Sequence, residues 1–219
     1  TFLWFEGSLN PSGISIYLEQ FAKKHGTVNS KGGGVLDKKS YTPNHPNHIV
    51  LVVTDHIGIL APEKAEGVKK QRIDKFSETM RNARDLYGMS PVIVQQMNRS
   101  LSDVQRIKMG GMLPKLSDIA ESSSTAHDSD VVLALYDPYR HISQGEEHDA
   151  LGYSLKDLRD NMGYKYYRSL HILKSSFDSD GLAFPLGYYP FCGMFKTLPK
   201  RDIITPQDYQ DIQSGKFFR

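Results

Sequence analysis

Two runs of branched apolar residues in this 219-residue sequence end directly in side chains able to do chemistry. Asp55 and His56 follow Ile49, Val50, Leu51, Val52, Val53 and Thr54. A carboxylate fixed at the end of a buried strand, and still partly hydrated, can hold the Mg²⁺ that bridges nucleotide phosphates. The same aspartate serves many sheets as a helix cap or turn residue. Gln95, Gln96, Met97, Asn98 and Arg99 follow the second run, 91–94. A glutamine at a strand tip can bond a γ-phosphate through water and move when the phosphate leaves. The alternative is an ordinary polar loop, but buried amides need partners, so this cluster beside an Asp-tipped strand favours a site. A third stretch, 117–130, reads by itself as a polar helix with Ser117 or Asp118 as N-cap.

Other candidates are plainer. His45, His48 and His56 have no cysteine with them and no regular ligand spacing, so solvated loop residues explain them better than a metal. Glu146, Glu147, His148 and Asp149 read as a solvated charge cluster. Tyr164, Tyr166 and Tyr167, and Tyr188, Tyr189 and Phe191, could stack bases but more often serve core or strand pairing. Arg99, Arg106 and Lys108 are interspersed with small and polar residues and with Gly110 and Gly111. Cations so placed hold phosphates without reading sequence, or they simply decorate a solvated loop.

The elements that must position these groups can be read from pattern. Asn10 and Pro11 read as N-cap and first helical residue, and Ile14, Tyr17, Phe21 and Ala22 then share one helical face with Gly26 as its stop. A strand is expected at 1–5. Residues 27–47, with Gly32, Gly33, Gly34, Pro43 and Pro46, read as a polar loop or hairpin insert. The β-branched run 49–54 is typical of a strand buried on both faces of a parallel sheet. Ile73, Phe76, Met80, Ala83 and Tyr87 repeat at three- and four-residue steps, predicting an amphipathic helix over 67–87. Further strands are expected from 91, from 131 to 136, from 166 to 173, and from 182 to 186 after a turn at Gly181. A short helix is expected near 154–160. Strands alternating with a long helix predict an α/β fold with a mostly parallel sheet, whose catalytic groups lie at the carboxyl strand ends.

Composition sets the outer limits. Hydrophobic residues make up 39% and charged residues 24%, ordinary globular usage that argues against wholesale disorder. The net charge of +2 announces no nucleic-acid binder, so any such surface must be a local patch. The single cysteine, Cys192, allows no internal disulfide. No stretch approaches the roughly 18 apolar residues of a membrane span. A soluble, cytoplasmic protein with no membrane partner is expected. The start inside a strand, without methionine, suggests a fragment.

The motif order resembles the DnaB-type replicative helicase core, within the wider RecA-like family. There a strand ends in Asp-Tyr-Leu and the next in Ser-Gln-Leu-Asn-Arg; then come Pro-x-Leu-Ser-Asp-Leu-Arg-Glu-Ser-Gly and Gln-Asp-Ala-Asp. This chain has Asp55, His56 and Ile57, then Gln95 to Arg99, then Pro114 to Ser123, and His127, Asp128, Ser129 and Asp130. The likeness covers most of 2–198, with inserts at 27–47 and 137–165, and implies a single partial RecA-like domain over 1–219. It implies a mostly parallel sheet flanked by helices, with a C-terminal β-hairpin. Asp55 would coordinate Mg²⁺ beside ATP, Gln96 would sense the γ-phosphate, and the 99–113 loop, with Arg99, Arg106 and Lys108, would touch single-stranded DNA. Subunits would form a ring, by resemblance a hexamer, with a primase or helicase loader as further partner.

Departures accompany the likeness. No Gly-x-x-x-x-Gly-Lys-Ser/Thr loop is present, and the three glycines at 32–34 lack its spacing. The catalytic glutamate of the family has no counterpart. Where the family shows Lys-x-Arg, whose arginine reaches a neighbouring subunit's nucleotide, this chain keeps Lys174 but has Ser176. Either Lys174 does that work, giving charge without the bidentate fork, or another arginine substitutes, or the engine is degenerate. An ATP-driven helicase motor is therefore the leading reading. The rivals are a RecA-like recombination or repair ATPase and an inactive DNA-binding ring component.

Overall fold

The computed structural model describes residues 9–30, 39–63, 68–97, 113–119, 124–140, 151–161, 165–177, 180–200, 203 and 205–214. The expected strand at 1–5 lies outside them. The chain divides into two compact units, Thr1–Asn98 with Ile119–Ser129, and Arg99–Asp118 with Asp130–Arg219.

In the first unit, helix α1 (Pro11–His25) starts where the sequence places it. The Asn10 side chain accepts from the Gly13 amide at 2.7 Å and Pro11 fills the first turn. Glu63 also accepts from the Ser12 amide at 2.8 Å. Burial pushes the Glu63 carboxyl up, but the Ser12 bonds and the Lys75 ammonium outweigh it and leave it below its ordinary range. Leu18 and Ala22 are the buried core residues of α1, with Ile14 and Phe21 packed against them. Tyr17, expected on that face, is exposed. Each residue turns about 100° around a helix, so neighbours at the stripe's edge compete for the core, and the wholly apolar leucine takes it.

Gly26 ends α1 in extended backbone and opens strand β1 (Gly26–Ser30). β1 pairs antiparallel with β2 (Lys39–Pro43), so the described part of the expected insert is a hairpin. Val28 and Tyr41 pack on the core, and Tyr41 meets Tyr87 edge-on at 5.8 Å. A Cβ built on Gly26 would lie 2.5 Å from both the Thr42 carbonyl oxygen and the Tyr41 ring. Because one obstacle is backbone, Gly26→Ala is expected to lose about 1–3 kcal/mol, as overpacked sites do. Urea melts of the variant and the parent check this; equal midpoints would mean the hairpin yields.

Strand β3 (Leu51–Thr54) and strand β4 (Ser90–Ile93) pair in parallel, Leu51 opposite Ser90 and Thr54 opposite Ile93. They are joined through helix α2 (Lys69–Tyr87), as parallel neighbours require a long crossover. Ile73, Phe76, Met80 and Ala83 of α2 are buried, as their periodicity predicts. Gly88 stops the helix at φ 63°, its amide bonding the Arg84 carbonyl while the Met89 amide reaches the Ala83 carbonyl. This is the left-handed cap that glycine adopts without strain. Val50, Val52 and Ile93 pack against the α1–α2 core, whereas Leu51, Val53, Val92 and Val94 stay exposed. Burial on both strand faces, expected from composition, is met on one.

The second unit carries β5 (Val131–Tyr136), β6 (Tyr167–Ser175), β7 (Ala183–Tyr189) and β8 (Met194–Thr197), in that order and all antiparallel. Gly181 and Gly193, at φ 78° and 66°, mark the two tight returns. The C-terminal hairpin expected at Gly181 is thus the β6–β7 return of a meander. A mostly parallel sheet is not what the described residues form: β3–β4 is their one parallel pair. Tyr153, Leu155, Leu158, Tyr167 and Leu198 make this unit's core. The Tyr153 hydroxyl donates to the Pro199 carbonyl, and a π-helical turn spans Asp157–Asn161, near the short helix expected there. Ser169 and His171, on the buried face of β6, share a hydrogen bond of 2.8 Å. Burial holds the His171 imidazole below its ordinary value.

Tyr167 and Tyr189 are buried, which fits core rather than base stacking, while Tyr164 lies outside the described residues. The expected 117–130 helix is, among the described residues, a 3₁₀ turn over Leu116–Asp118 and a short helix α3 (Ser124–Asp128). Asp118 accepts from the Lys115 amide at 2.7 Å, so it closes a turn preceding it. A last helix, α4 (Pro206–Ser214), carries only Tyr209 and Ile212 as large apolar residues, too few to announce it. No helix among the described residues is long and apolar enough to cross a membrane.

Candidate functional site

The carboxyl ends of β3 and β4 lie side by side. The Val94 amide donates to the Thr54 carbonyl at 2.9 Å, and the Ile57 amide to the Val94 carbonyl at 3.2 Å. These bonds carry the parallel register one step past the strands and fix the backbone around Asp55. His56 accepts from the Gly58 amide through Nδ1 at 3.0 Å and so opens a 3₁₀ turn, Ile57–Ile59. Exposure alternates along both strand ends. Asp55 is exposed after half-buried Thr54, and Gln96 is exposed after half-buried Gln95. Asp55 and Gln96 are therefore both exposed beyond the carboxyl ends of β3 and β4. An exposed carboxylate on fixed backbone suits Mg²⁺, which takes one or two carboxylates and keeps several waters. No group of three or more His, Cys, Asp or Glu fit for a metal occurs among the described residues.

Lys174 belongs to the second unit, on β6 opposite Val132 of β5, and Ser176 donates its amide to the Asp130 carbonyl at 2.8 Å. Arg99, Arg106 and Lys108 lie outside the described residues. His45 and His48 stack on each other with ring centroids 4.7 Å apart.

Behind the strand ends stands a network that sequence reasoning missed. Asp128, at the end of α3, accepts from the Ser77 hydroxyl at 2.7 Å and from Arg81 at 3.3 Å, while its carbonyl accepts from Arg84 at 3.1 Å. Ser124 donates to Asp74 at 2.6 Å and Thr125 to the Gln95 Oε1 at 2.6 Å. Partners 30 to 51 residues apart leave no local signature. The third stretch, 117–130, contains Asp128 and is the one hint in the sequence.

Burial pushes the Asp128 carboxyl up, but the Ser77 hydroxyl, the Arg81 charge and His127 outweigh it and hold it below its ordinary value. A depressed folded pKa adds stability that is complete above the unfolded value and disappears as pH falls through the folded one. Arg81 is 44% exposed, so solvent screens its share, and the bond from Ser77, 2% exposed, carries more weight. Asp128→Asn is expected to lose about 1–3 kcal/mol at neutral pH. It should also flatten the loss of stability below about pH 4. Melts across pH check both, and an unchanged acid limb would remove Asp128 from the account.

The family model for the DnaB-like helicase C-terminal domain matches residues 35–160, more than half of the chain. No curated protein matches in sequence. The fold is similar to that of a DnaB-like replicative helicase solved with attention to its interactions with primase. The TM-score is 0.58 at 20% identity, over 90% of this chain and 37% of that one. It is also similar to a second solved structure, an ATPase domain, at a TM-score of 0.57 and 20% identity, over 88% of this chain and 52% of that one. The chain thus spans about a third to a half of these structures' lengths, and at such identity the likeness speaks for a shared mixed α/β fold. With more than half its length under the family model, and the motif-bearing strand ends inside that match, the chain belongs to the DnaB-like helicase C-terminal domain family.

Proposed function

We propose that the chain is part of the motor domain of a ring-forming, ATP-dependent replicative DNA helicase that moves along single-stranded DNA. The supporting observation is that Asp55 and Gln96 are both exposed just beyond the carboxyl ends of two adjacent parallel strands. Asp55 holds Mg²⁺, which when bound neutralises charge developing on the transferred phosphoryl group. Gln96 bonds the γ-phosphate through water and relays its departure to the loop at 99–113. Arg99, Arg106 and Lys108 there hold DNA phosphates without reading sequence. Lys174 serves the nucleotide of a neighbouring subunit in place of the arginine that Ser176 replaces. In this reading 1–219 is one partial RecA-like domain, and another segment of the gene product supplies the phosphate-binding loop. The ring is a hexamer in the cytoplasm, with a primase or loader as partner.

The second reading is an inactive ring component that binds DNA, favoured by the missing Gly-x-x-x-x-Gly-Lys motif and by Ser176. A recombination or repair ATPase is separated from a helicase by strand displacement on a forked substrate. The deciding experiment measures ATP hydrolysis by the full-length gene product with and without single-stranded DNA. Hydrolysis accelerated by DNA supports the motor, and its absence supports the inactive component. Gln96→Ala is expected to abolish the acceleration and leave the fold intact, as judged by circular dichroism. Acceleration equal to the parent's would end the sensor assignment.

A further inference from the structure

We infer that Thr125 is a positioning residue for the sensor amide, acting through Gln95; the inference deepens the motor reading and rests on it. Gln95 and Gln96 are consecutive but face opposite ways, one half-buried and one exposed. Thr125, 4% exposed, donates its hydroxyl to the Gln95 Oε1 at 2.6 Å. On the other side of Gln96, Met97 forms an antiparallel bridge with Ile119. Gln96 therefore sits between two anchored neighbours, both held by residues of the returning segment Ile119–Ser129. That segment has its own footing on α2. Ser124 donates to Asp74 at 2.6 Å, and Ser77 to Asp128 at 2.7 Å. The force path runs from α2 through α3 to the tip of β4.

The chemistry explains why this matters for a sensor. An exposed glutamine reports on a phosphate only if its side chain moves against a stationary backbone. A misplacement near 1 Å costs on the order of 10²-fold in rate at a reacting centre. The half-buried Gln95 amide requires a partner of its own. Thr125 supplies one from a buried position. Asp128 and Ser124 hold α3, and Thr125 joins it to Gln95, next to Gln96.

The test compares DNA acceleration of ATP hydrolysis in the full-length gene product for the parent, Gln96→Ala, Thr125→Val, Thr125→Ser, Gln95→Ala and the Gln95→Ala/Thr125→Val double variant. Thr125→Val keeps the shape and removes the donor. It is expected to cut the acceleration about tenfold or more, with the KM for ATP unchanged. Thr125→Ser should restore most of it, which a purely packing role would not allow. The double variant should be no worse than the more impaired single one, because both remove the same bond. A folded Thr125→Val protein with parental acceleration, or a double variant whose losses multiply, overturns the inference. If Thr125→Val does not fold, Gln95→Ala decides: parental acceleration there overturns the inference and a matching loss supports it. A parent without acceleration overturns the motor reading and the inference with it; a fully accelerated Gln96→Ala ends the sensor assignment and the inference and leaves the motor reading standing. Normal parent and Gln96→Ala responses beside an unaffected Thr125→Val overturn the positioning role alone.

Discussion

Phe76→Ala is expected to destabilise the first unit by about 3–5 kcal/mol, the range for emptying a buried aromatic site. Phe76 is fully buried at the centre of the α1–α2 core, among Leu18, Ala22, Ile57, Ile73, Met80 and Met89. The loss combines the transfer free energy of the ring with the cavity it leaves. Native domains hold only about 5–15 kcal/mol in total, so a marginal unit would be largely unfolded at ambient temperature. The urea midpoint should fall with little change in slope. Phe76→Leu, closer in volume, should lose much less. A drop below about 1 kcal/mol for the alanine variant, outside the range for such sites, would mean that the helices close over the gap.

Asp55→Asn is expected to reduce ATP hydrolysis by the full-length gene product at least about 10²-fold. A lost metal ligand removes several kcal/mol of charge stabilisation, and each 1.36 kcal/mol is tenfold in rate. Asparagine keeps the shape and one oxygen but not the charge, so raising the Mg²⁺ concentration should recover part of the loss. Asp55 is exposed, so stability should stay within about 0.5 kcal/mol of the parent. Hydrolysis within a few-fold of the parent, at ordinary Mg²⁺, would show that another carboxylate holds the metal and would leave Asp55 as a turn residue.

Local pattern carried the sequence reading as far as it went. The α2 stripe is legible because Ile73, Phe76, Met80 and Ala83 keep helical period without interruption, and β5 because six consecutive residues suit a strand. Asp55 could be placed near a strand end because it directly follows β3, and Gln96 because it comes three residues after β4. Strand direction was harder. Some thirty residues separate β5 from β6, enough for a helical crossover to a parallel neighbour, yet the chain returns antiparallel. β8 is four residues long with a lysine and a threonine among them, too little for an alternation to register. Tyr17 and Leu18 exchange roles because both border the apolar arc of α1. The Asp128 network was invisible for a different reason: hydroxyls, carboxylates and guanidinium groups read as surface until the fold brings them together.

The return of Ile119–Ser129 to the first unit also orders events in time. A ribosome delivers α1, α2, β3 and β4 well before Ser124, Thr125 and Asp128. At about 5–20 residues per second the delay is on the order of seconds. Through that interval Asp74, Ser77 and Gln95 have yet to form the bonds to α3 that they hold in the finished unit. The first unit is therefore assembled early but finished late. A nascent chain stalled before Ser124 should show a collapsed, protease-sensitive intermediate rather than a completed fold.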